Sequence, residues 1–204
     1  MLVPLAAGLV TLAVWGLSHV TAGLPPVLRA MTPAQGVYVG LGHPLSELDH
    51  MAMLLGGGAV AAMVGRGHEL TLAFVAATLV GMRLPGLGLG MPHLDLVLGL
   101  SVLGCGLALA AMRADARWVL APCFVAAGLA HGFDYGASLV AAPPAAFLAA
   151  VLAVVCVQLG VMTAAYRVGG LYPAQRAATK LTMQRAGAYL LLAGLVCVVL
   201  AKPG

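Results

Sequence analysis

The chain has 204 residues, 62% of them hydrophobic and 8% charged, with a formal net charge of +4 and a mean hydropathy of +1.05. Soluble domains are nearer half apolar and about a quarter charged, so this composition excludes an ordinary soluble domain and implies an integral membrane protein, in contact with lipid and with no nucleic-acid partner expected. The apolar runs suit helices of roughly 20 residues across a bilayer, and the alternation of a barrel strand is absent, which leaves an all-α polytopic transmembrane helical bundle.

Residues 1–18 form an uncharged apolar segment, either a retained transmembrane helix or a signal segment lacking the usual basic start. Residues 19–35, with Pro25, Pro26, Arg29 and Pro33, read as an outward-facing loop, and 36–204 as one membrane domain. The first helix of that domain is expected from about Gln35 or His43 to Gly65, and the second from Leu70 to about Arg83. After a Pro/Gly-rich loop from Leu84 to Met91, the third covers about Pro92 to Met112 and the fourth Trp118 to about Val140. The fifth starts at Pro143-Pro144 and continues to Tyr166, and the last takes roughly Ala186 to Ala201. The expected architecture is therefore six core helices plus an N-terminal one.

Basic residues orient such a bundle. Arg66, Arg113, Arg117, Arg167, Arg176, Lys180 and Arg185 fall in loops of one side, whereas Arg29, Arg83 and Lys202 fall on the other. The positive-inside rule puts the richer side, and with it the N-terminus, in the cytoplasm. The cysteines, Cys105, Cys123, Cys156 and Cys197, stand singly in apolar runs, as buried inert thiols do. No phosphate-binding Gly-rich loop is present. Gly99-Leu100-Ser101 lacks the glycine that should follow a nucleophilic serine, so no catalytic residue and no enzyme activity are expected.

The densest chemistry lies in His43-Pro44-Leu45-Ser46-Glu47-Leu48-Asp49-His50, which gathers two imidazoles and two carboxylates at the head of an uncharged apolar run. A charge at mid-membrane costs roughly 2.5–3.5 kcal/mol on insertion scales, so such residues need partners, water or a bound cation. On a continuous helix with Pro44 in its first turn, His43, Glu47 and His50 share one face at i, i+4, i+7. Asp49 then points toward a neighbouring helix or the ring N–H of a ligating histidine. Asp95, with His93 beside it, falls in the first turn of the third core helix, and His131 and Asp134 share a face near the end of the fourth. All arrive in the same leaflet. Imidazoles with carboxylates suit a divalent transition ion, Ni, Co, Cu or Zn, and ligand type does not choose among them.

These residues resemble the HupE/UreJ family of hydrogenase and urease accessory membrane proteins, regarded as nickel or cobalt permeases. The family pattern H-P-x-S-G-x-D-H matches His43 to His50, with Glu47 where glycine is usual. A second block looks like Pro92, Asp95 and Ser101, and a third like Ala127 to Asp134, with Ala127 and Leu129 where histidines are usual. The resemblance implies a permease of the bacterial inner membrane that captures nickel or cobalt on the outer side. Its metal residues would be His43, Asp49, His50, Asp95, His131 and Asp134, with Glu47 either a further ligand or an obstruction. Ligation needs deprotonated imidazole, so uptake should weaken below about pH 6. The competing reading is a non-transporting accessory subunit on the same fold, with a larger membrane complex or further copies of the chain as partners.

Overall fold

The computed structural model describes residues 31–65, 67–111, 117–170 and 177–201. The expected N-terminal segment 1–18 lies outside them, as does most of the 19–35 loop. The described residues are all-α: α1 Pro33–Ser46, α2 Leu48–Val64, α3 Gly67–Gly81, a 3-10 turn at Pro85–Leu87, α4 Leu94–Ala111, α5 Arg117–Leu139, α6 Pro144–Gly170 and α7 Ala177–Leu200. Four segments, Gly67–Leu87, Leu94–Ala111, Pro144–Gly170 and Lys180–Leu200, are long and apolar enough to cross a membrane. Leu72, Leu107, Leu192 and Val199 are largely exposed on these helices. In lipid such side chains need no further cover.

The continuous first helix expected from Gln35 or His43 to Gly65 is instead two helices, α1 and α2, broken at Glu47. The start is fixed earlier than His43 by a capping box: Gln35 N–H donates to Thr32 Oγ1 at 3.3 Å and Thr32 N–H to Gln35 Oε1 at 2.7 Å, with Pro33 in the first turn. Pro44 therefore sits in the last turn of α1 rather than the first turn of a helix. Its missing N–H and its ring weaken the ladder there. Three residues on, Glu47 takes an extended conformation, φ −98° and ψ 134°, before the chain turns helical again at Leu48. Gly65, at φ +70°, ends α2 in the left-handed conformation that glycine adopts without strain.

Close helix contacts set the relative directions. On α5, a Cβ at Gly128, Gly132 or Gly136 would collide with the carbonyls of Phe74, Thr78 and Met82 respectively, so α5 runs parallel to α3 in near backbone contact. Gly36 and Gly40 of α1 meet Ala146 and Ala150 of α6 in the same parallel sense. Gly99 and Gly106 of α4 meet Val198 and Leu191 of α7, an antiparallel pair. These senses are those of helices that cross alternately. The core falls into two buried groups, one around Met53, Phe74, Cys105, Phe124 and Met162, the other around Met82, Tyr135 and Val154. His50 and His131 are fully buried, in contact with both groups through Tyr135 and Phe74.

Candidate metal centre

His43 closes α1, His50 opens α2, and the break at Glu47 lets their rings approach to 5.1 Å between centroids. Helix α5 supplies the facing wall. With its glycine stripe turned to α3, it presents His131, Asp134, Tyr135 and Ser138 at i, i+3, i+4, i+7 toward α1 and α2. Tyr135 packs edge-on against the His43 ring, at 5.0 Å, and tilted against His50, at 4.6 Å. The two imidazoles are thereby held against an aromatic floor.

One ligand atom each from His43, Glu47, His50 and Asp134 lies within 4.8 Å of every other. His43 Nε2 stands 3.0 Å from Asp134 Oδ2 and 3.3 Å from Glu47 Oε1, and His50 Nε2 stands 3.4 Å from the same Asp134 oxygen. Donors on an ion with bonds of about 2.1 Å would be about 3.0–3.4 Å apart in octahedral or tetrahedral geometry. The observed spacings suit an ion between them without choosing its coordination number.

Hydrogen bonds outside this group fix which nitrogen faces it. Asp49 Oδ1 accepts from both the His50 backbone N–H and the His50 ring at Nδ1, each at 2.8 Å. A neutral imidazole carries one ring proton, so with that proton at Nδ1 the lone pair belongs to Nε2. Nε2 is fully buried and finds no hydrogen-bond partner among the described residues. The Ser138 hydroxyl donates to the Tyr135 carbonyl at 2.8 Å, and its lone pairs face His43 Nδ1 at a long 3.5 Å. His43 is thus turned with Nε2 inward as well. Among the described residues, the ion-pair partners of Glu47, Asp49 and Asp134 are these two imidazoles.

The other sequence-derived candidates stand apart from this group. His131 touches the His50 ring, 4.7 Å between centroids, but its Nε2 lies 3.0 Å from Ser101 Oγ. Because Ser101 donates to the Leu98 carbonyl at 2.7 Å, its oxygen receives the His131 proton, and the buried Nδ1 of His131 is left without a partner among the described residues. Ser101 orients that ring. Asp95 is exposed on the first turn of α4, and His93 before it adopts φ 55°, uncommon for a residue other than glycine. Tyr135 and Ser138 were not singled out in the sequence. Their signal was their register, one and four residues beyond Asp134.

A family model described as "HupE / UreJ protein" matches residues 9–197. The chain belongs to the HupE/UreJ family. No curated relative and no solved structure matches it. Membership covers nearly the whole chain, including the blocks that carry His43, His50 and Asp134.

Proposed function

We propose that this HupE/UreJ protein is a membrane permease for a divalent transition metal ion, nickel or cobalt by family, with the ion held between α1, α2 and α5. The observation that carries the reading is the orientation of His50. Its ring proton is engaged by Asp49, so its buried Nε2 lone pair faces an Asp134 oxygen 3.4 Å away. Two acceptors facing each other at this distance are unfavourable unless a cation or a proton lies between them, and the further donors from His43 and Glu47 suit a metal ion. His43, His50 and Asp134 would be the ligands, and Asp49 would orient His50 from behind. His131 and Asp95, outside the donor group, would serve the approach or onward path of the ion.

The test is metal content and uptake together. Purified protein incubated with Ni²⁺ or Co²⁺ and freed of excess should retain the ion, and His50→Ala should not. Cells producing His43→Ala or His50→Ala should lose metal accumulation while the protein remains in the membrane. Equal metal content in wild type and His50→Ala would overturn the site. Metal bound without accumulation would instead assign the chain to the accessory role.

A further inference from the structure

Resting on that reading of the site, we propose that Glu47 is its closing ligand: the carboxylate that completes the coordination of the divalent ion from the exposed side and must swing away for the ion to exchange. Glu47 occupies the extended residue between α1 and α2, the N-cap position of α2. A side-chain oxygen there ordinarily caps the helix that follows. This one makes no cap bond. It turns instead toward the imidazoles, with Oε1 3.3 Å from His43 Nε2 and Oε2 3.8 Å from His50 Nδ1.

Exposure separates it from the other donors. The Glu47 side chain is 46% exposed, against 25% for Asp134, 14% for His43 and none for His50. It is the one of the four that reaches open surroundings by rotation of its own side chain, without displacing a helix. Charge permits its withdrawal. With both imidazoles neutral, the carboxylates of Asp49 and Asp134 still offset the two charges of a divalent ion once Glu47 has swung away. Three protein ligands leave a metal position open to exchange, and a fourth closes it. Glu47 can play that fourth part reversibly because a flanking extended residue, not a packed helix face, carries it.

Co²⁺ is a suitable probe in the full chain in detergent, because its visible absorption reports the number and kind of its ligands. Glu47→Gln and Glu47→Gly should both still bind Co²⁺, with an altered spectrum. Both should release it to excess chelator roughly 10-fold or more faster than wild type, at least the effect of losing an outer-shell partner. An unchanged spectrum and release rate in both variants would overturn the proposal and leave the metal centre standing, since His50→Ala would still abolish binding. Complete loss of binding in Glu47→Gln would also overturn it, making Glu47 obligatory instead of closing. If wild type and His50→Ala bind Co²⁺ alike, the centre fails and the proposal with it. Gln keeps the size of Glu, so it decides the matter if Gly unsettles the break.

Discussion

Asp49 illustrates how a residue inside a motif can act through its neighbour. Its Oδ1 receives two bonds from His50, one backbone and one ring. Placement in the first turn of α2 adds the favourable interaction of a carboxylate with a helix N-terminus. That leaves it well suited to hold the imidazole and less available to leave it for an ion. Asp49→Ala should therefore weaken Co²⁺ binding about 10–100-fold, the usual cost of removing the partner behind a ligating histidine. Asp49→Asn keeps an oxygen that accepts from Nδ1–H and should recover much of that loss. Titration of the purified variants distinguishes the roles, because a carboxylate bonded to the metal itself would make Asn as damaging as Ala. Ser138→Ala removes a bond to the Tyr135 carbonyl and, at the ligands, only a 3.5 Å contact to His43, and should weaken Co²⁺ binding less than Asp49→Ala.

Among the elements, α5 bears most on the centre because one face fixes it in place while another supplies the site. Gly132 lies in backbone contact with Thr78, one residue from His131 and two from Asp134. A methyl group there has no flexible neighbour to displace, so α5 would have to move off α3. Overpacking of this kind costs about 1–3 kcal/mol. Gly132→Ala should lower the unfolding temperature in detergent and weaken metal binding together. Gly104, where a Cβ would meet open space, is the control, and Gly104→Ala should do neither. The break between α1 and α2 was not legible in the sequence for a related reason. Pro44 and Ser46 are compatible with either a helix start or a helix end, and the choice was made upstream by the Thr32–Gln35 capping box. His43, Glu47 and His50 had the spacing of one helix face, yet they converge because the chain stops being helical between them. The residue types of the centre were readable, as was the pairing of α5 with the His43–His50 segment. What spacing alone could not give was the exclusion of His131 and Asp95 from the donor group, since Ser101 takes the His131 proton and Asp95 sits on the exposed start of α4.

At the scale of the whole molecule, relative helix directions and the distribution of basic residues point to one orientation. The parallel pairs α3 with α5 and α1 with α6, and the antiparallel pair α4 with α7, have the senses of helices that cross alternately. The Arg83 guanidinium lies 5.5 Å over the Phe147 ring, which joins the end of α3 to the start of α6 at one face of the bundle. Among the described residues, Arg167 near the end of α6 and Lys180 and Arg185 near the start of α7 lie toward the other face. Because Lys and Arg concentrate on the cytoplasmic side, the Arg83 end should face outward. His68, in the first turn of α3, and Gly86, in the 3-10 turn beyond its end, are both exposed and test this directly. In a background with the four native cysteines replaced, Gly86→Cys should react with a membrane-impermeant maleimide added to intact cells. His68→Cys should react only after the membrane is opened. The reverse pattern would invert the orientation and place the break at Glu47 on the cytoplasmic side, making the centre a point of release instead of capture.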